Sequence, residues 1–110
     1  MSSIDTLKQK MISAVDSRRE EIIAVAEKIL HNPELGYREV KTAALVAAEL
    51  QKLGLTPRCG LAVTGVRADI DSGRPGPKIA IMGELDALPV PSHTFLAGLP
   101  ARARAIFSRI

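Results

Sequence analysis

Apolar residues Ile4, Leu7, Met11, Val15, Ile22, Ala26 and Ile29 recur at spacings of three, four or seven. That stripe predicts one long amphipathic helix from about Ser3 to Leu30, with Asp16, Arg18, Arg19, Glu20, Glu21, Glu27 and Lys28 on its solvated face. Asn32-Pro33 ends it. Glu34 to Tyr37 reads as a turn, and a second helix follows to Leu53 with Val40, Ala44, Ala47 and Leu50 inward. Gly54 is suited to a left-handed C-cap, with Leu55 placed to pack back on the last turn.

After Pro57 the period changes. Val66, Ala68 and Ile70 alternate with Arg67 and Asp69, which predicts a half-exposed strand. The Asp71-Ser72-Gly73-Arg74-Pro75-Gly76-Pro77 stretch is a turn-rich connection. Lys78 to Met82 is apolar almost throughout and reads as a strand central in its sheet. The expected fold class is therefore α/β, two amino-terminal helices and then two adjacent strands. Two strands cannot cover both faces of a sheet, so the pattern describes an incomplete opening of such a domain.

Composition changes this picture little. At 110 residues the chain makes one small domain at most. Aromatic residues are only 3% and Trp is absent, so aliphatic side chains must fill the core. The single cysteine, Cys59, excludes an internal disulfide and fits a reducing compartment. The net charge of +3 is not a binding surface: residues 1–98 balance, and the excess lies in Arg102, Arg104 and Arg109. Without aromatic interleaving or a recognition motif, that tail gives no ground for nucleic-acid binding. The N-terminus carries Asp5 and no apolar signal region, and no run reaches the roughly 18 apolar residues of a membrane span. A cytoplasmic chain without membrane contact is expected.

Candidate chemistry is concentrated in Gly83-Glu84-Leu85-Asp86-Ala87-Leu88-Pro89, directly after the apolar run, where α/β enzymes place functional side chains. A Glu-x-Asp after a strand is also a common cap or solvated turn, and Pro89 and Pro91 favour a turn. His31 suits a helix C-terminus, where imidazolium is favoured by the dipole. His93 sits after two prolines without a second metal ligand nearby. Glu34, Gly36 and Glu39 read as turn and cap residues, with Glu39 on the helix surface.

The segment His31-Asn32-Pro33-Glu34-Leu35-Gly36-Tyr37-Arg38-Glu39 resembles the "H-x-x-P-E-L-G-x-x-E" opening of a family of amidohydrolases. That family groups with hippurate hydrolase, aminoacylases and aminobenzoyl-glutamate hydrolase among the dimetal metallopeptidases. Thr42 falls at the family's usual place, Leu50 to Gly54 resembles its "L-x-x-x-G" helix end, and Thr64-Gly65-Val66 its "T-G-V". Gly83 to Pro89 resembles "G-E-x-D-A-L-P". The likeness runs in one order from about residue 18 to residue 93.

The resemblance implies a catalytic domain of the dimetal peptidase type, in which two zinc or manganese ions hold a hydroxide that attacks a small-molecule amide. It places Glu84 where related peptidases hold a metal-binding histidine, and makes Asp86 the catalytic candidate, an acid that orients such a ligand. The subgroup's ligands come from a later "A-C-G-H" segment. No Cys or Gly-His pair occurs in residues 94–110, so no tight metal binding is expected of this chain. Residues 1–93 thus read as the amino-terminal part of the catalytic domain and 94–110 as a divergent basic tail. A reading-frame change, a truncation, or a real helix after Pro100 would each account for that tail. The expectation is a fragment inactive alone that self-associates through exposed apolar surface; the alternative is a non-catalytic α/β module binding a partner chain.

Overall fold

The computed structural model describes residues 2–88, which fall into two units divided between Leu30 and His31. In the first unit, Ser2 and Asp5 form a capping box. The Asp5 N–H donates to the Ser2 hydroxyl and the Ser2 N–H donates to the Asp5 carboxylate, both at 3.2 Å. Helix α1 runs Ser3–Ser17 and α2 runs Arg19–His31, so the single long helix read from the periodicity is two. The break is at Arg18, whose φ of −110° and ψ of 14° leave helical geometry. It falls in the gap between Val15 and Ile22, where no apolar residue repeats. Ser17 adds to it by turning its hydroxyl back onto the Ala14 carbonyl at 2.8 Å. Most of the stripe is exposed: no residue of α1 or α2 is buried, Met11 is 69% exposed, and Ile29 is half-buried.

The second unit is built on helix α3, Val40–Lys52. Its end is the expected one. Gly54 takes φ 78°, its N–H donates to the Gln51 carbonyl at 2.9 Å, and the Leu55 N–H reaches the Leu50 carbonyl at 3.1 Å, a full Schellman motif. The inward face is rotated from the expected one. Val40 is exposed while Thr42 is buried, with Leu45, Val46, Ala47 and Leu50 half-buried.

Strands β1, Arg58–Leu61, and β2, Gly65–Arg67, form an antiparallel hairpin against α3. Arg58 pairs with Arg67 and Leu61 with Gly65, with an irregularity between. A Cβ on Gly65 would lie 2.5 Å from the Leu61 carbonyl oxygen, so the turn closes only with glycine there. The architecture is thus helices followed by two adjacent strands, a small α/β arrangement.

Only part of one strand lies where the pattern marked it, β2 taking in Val66 and Arg67 of the expected Val66 to Ile70. β1 had no alternating or β-branched signal, and β2 ends at Arg67, before Ala68 and Ile70. Lys78 to Met82 forms no strand among the described residues, and Ile79, Ile81 and Met82 are 84%, 98% and 92% exposed. An apolar run becomes a strand only where another strand supplies ladder partners, and no described segment pairs with it. No described helix is long and apolar enough to cross a membrane.

Candidate functional site

The motif residues gather at the N-terminus of α3. Its first N–H groups have no intrahelical acceptor, and Glu39, at the N-cap, does not cap them with its side chain. Glu34 does so from across the turn. One carboxylate oxygen accepts from the Thr42 N–H at 2.7 Å and the Thr42 hydroxyl at 2.8 Å, and the other from the Lys41 N–H at 3.2 Å. A negative group there also meets the positive end of the helix dipole. Partial burial alone would raise the Glu34 pKa. The Thr42 N–H and hydroxyl, the Lys41 N–H and the Lys41 ammonium outweigh it and hold the carboxyl below the ordinary glutamate value.

Glu39 is not on the helix surface as the sequence suggested. It is 7% exposed, and its carboxylate accepts a hydrogen bond from the Thr64 hydroxyl at 2.8 Å. Its own N–H and the Thr64 hydroxyl, with help from the N–H groups of Tyr37 and Arg38, keep its pKa below the ordinary value despite burial. Thr64 lies in the loop between β1 and β2, so this bond ties the start of α3 to the hairpin.

A third connection reaches the Glu84–Asp86 segment. The Ala87 N–H donates to the main-chain carbonyl of Glu34 at 2.7 Å. Leu85 and Ala87 are half-buried while Glu84 and Asp86 are exposed. Asp86 Oδ2 stands 4.0 Å from the position a Cβ would take on Gly36, so the two motifs are adjacent in space. His31 is the last residue of α2, and His93 and the 94–110 tail lie outside the described residues.

Sequence reasoning missed the partners of Glu34 and Glu39. Their only signal was that Thr42 and Thr64 recur in the same motif set without a local structural task.

Among the described residues no three His, Cys, Asp or Glu side chains are grouped to hold a metal ion. A protein metal site needs three or four converging ligands, so this donor set does not fit one. A hollow of ≈ 280 Å³ between α3 and the hairpin, lined by Val40, Ala43, Ala44, Cys59, Gly60, Val63 and Thr64, is mostly apolar. Its Thr64 hydroxyl is already engaged by Glu39.

Comparison with known proteins gives the same motifs a lineage. A thermostable carboxypeptidase of Saccharolobus solfataricus is 39% identical over 85 residues, which is 76% of this chain and 22% of the relative. An IAA-amino acid hydrolase of Arabidopsis thaliana, ILR1-like 2, is 41% identical over 69 residues, 63% of this chain and 16% of the relative. The chain belongs to this amidohydrolase family. An N-acetyl-L-cysteine deacetylase of Bacillus subtilis is a further relative, 35% identical over 81 residues, 74% of this chain and 19% of its own. The chain spans about a fifth of the length of the curated relatives it matches. No family model matches it, and no solved structure does.

Proposed function

We propose that this chain carries the Asp86-bearing segment of an amidohydrolase that cleaves the amide joining an acyl group to an amino acid. The supporting observation is the Ala87 to Glu34 hydrogen bond, which brings the two motif segments most distant in sequence into one bracket. The names of the relatives describe hydrolysis of an amino-acid conjugate, removal of an acetyl group from cysteine, and carboxypeptidase action. Each fits an amide with an amino-acid moiety as substrate.

Asp86 is the residue to which we assign a role. Its exposed carboxylate, on a segment anchored one residue later, can accept a hydrogen bond and orient a neighbouring donor. Residues 94–110 carry no Cys or Gly-His pair of the kind the family draws its ligands from, and we take the chain by itself to be inactive. We take residues 1–93 as the family-related part and 94–110 as a separate tail. The lone cysteine agrees with assignment to the cytoplasm. The exposed Ile79, Ile81 and Met82 support self-association. They also favour a second reading, a non-catalytic module that pairs this segment with a partner chain.

Joining residues 1–93 to the matching remainder of the Saccharolobus carboxypeptidase tests the reading. The chimera is expected to hydrolyse N-acetyl amino acids only when zinc or manganese is supplied, while the 110-residue chain shows no turnover. A folded but inactive chimera would favour the non-catalytic module. Turnover by the chain alone would overturn its assignment as inactive.

A further inference from the structure

The geometry points to Glu34 as a positioning residue for Asp86, acting through the main chain of Ala87. The inference rests on the amidohydrolase reading for what Asp86 does, but the positioning itself is a property of this chain.

Glu34 works at both of its ends. Its two carboxylate oxygens accept from three donors on the first turn of α3, two from Thr42 and one from Lys41. With both oxygens held, the side chain has little rotamer freedom left, and residue 34 is fixed relative to the helix. Pro33 precedes it, is buried, and restricts the approaching backbone. The Glu34 carbonyl is therefore aimed by α3, and it is this carbonyl that accepts the Ala87 N–H at 2.7 Å, the short end of the N–H···O range.

Asp86 is the residue next to that anchored N–H. Its carboxylate comes to rest beside Gly36, where no side chain stands in the way. Lys78 to Gly83 is exposed and lies in no strand, so it does not hold the segment from the other side. Between residues 68 and 88, the Ala87 bond is the one main-chain hydrogen bond among the described residues that returns to the body of the unit. The lock on the Glu34 side chain and the placement of Asp86 are thus coupled through one residue.

A residue that merely capped α3 would leave Ala87 untouched when its cap is weakened, and this separates the two roles. Amide hydrogen exchange and nuclear Overhauser contacts are measured on the full 110-residue chain. The substitution is Thr42→Val, which removes the hydroxyl donor to Glu34 and keeps the side-chain shape. The Ala87 amide is expected to exchange more slowly than an open-chain amide in the parent and about 3- to 10-fold faster in Thr42→Val, the size of one net hydrogen bond. The contact between the Asp86 β-protons and the Gly36 α-protons should weaken in parallel. Thr42→Ser, which restores the hydroxyl, should return both.

Should Thr42→Val melt α3, Glu34→Gln gives the same reading, since its amide accepts more weakly than the carboxylate. Ala87 at the open-chain rate in the parent, or unchanged in the folded variants, would overturn the inference. In an active chimera, Thr42→Val should lower kcat with KM held, as expected of a group that orients and does not bind. An inactive chimera with the Ala87 response intact would fail the functional reading alone.

Discussion

Glu39 and Thr64, on opposite sides of the α3–hairpin junction, are joined by a 2.8 Å hydrogen bond from the threonine hydroxyl to a buried carboxylate. A buried acceptor that loses its donor retains its desolvation penalty. Thr64→Val should therefore lower the urea midpoint of the second unit, and Glu39→Gln should do so too. Glu21→Gln, which disturbs only the exposed 2.8 Å pair with Arg18, should shift it little. A Thr64→Val midpoint no lower than that of Glu21→Gln would show that the junction does not depend on this bond.

Acid should loosen the same region. Glu34 and Glu39 both have folded-state pKa values below the ordinary 4.5. A depressed carboxylate contributes stability that is complete above its unfolded value and is lost as pH falls through the folded one. The urea midpoint should hold down to about pH 5 and then decline steadily below 4.5. Thr42→Val should reduce the slope, because it removes part of what depresses Glu34. A midpoint that rises on acidification would contradict the sign.

Two glycines separate backbone strain from steric collision. Gly54 has φ 78° and open space where a methyl would stand, so Gly54→Ala should cost only the left-handed penalty, about 1–2 kcal/mol. Gly65→Ala would place its methyl 2.5 Å from the Leu61 carbonyl oxygen, a backbone atom that cannot yield without opening the hairpin. Its cost should exceed that of Gly54→Ala, and α3 amides facing the hairpin should lose exchange protection. Equal losses for the two variants would mean the hairpin relaxes freely.

Much of the second unit was legible. Gly54 and Leu55 announced the end of α3 because a Schellman motif is local chemistry. The motif residues from His31 to Glu39 were visible as a set, but their tasks were not. Thr42 is eight positions beyond Glu34, and Thr64 lies in another element from Glu39. No helical or strand periodicity links residues at such separations. Lys78 to Met82 misled for the opposite reason: burial of an apolar run is decided by its neighbours, and the run itself does not contain them. The break at Arg18 was present in the pattern as the missing apolar position between Val15 and Ile22.

In the active chimera, Asp86→Asn keeps the side-chain shape and removes the charge. Loss of an orienting group typically costs about 10–100-fold in metal affinity or activity. Steady-state kinetics across a metal titration would read it. An active chimera in which Asp86→Asn is silent would retain the family assignment and remove Asp86 from the reaction.

The bare stretch from Lys78 to Met82 is also open to a protease, an accessible backbone held in no helix or ladder. Trypsin cleaves after Lys and Arg unless proline follows. Arg74 is protected by Pro75, whereas Lys78 is followed by Ile79. Brief digestion should open the Lys78–Ile79 bond ahead of the bonds within α3. That single nick would sever the Asp86 segment from the hairpin, leaving the Ala87 to Glu34 hydrogen bond as the main-chain link between the two pieces among the described residues.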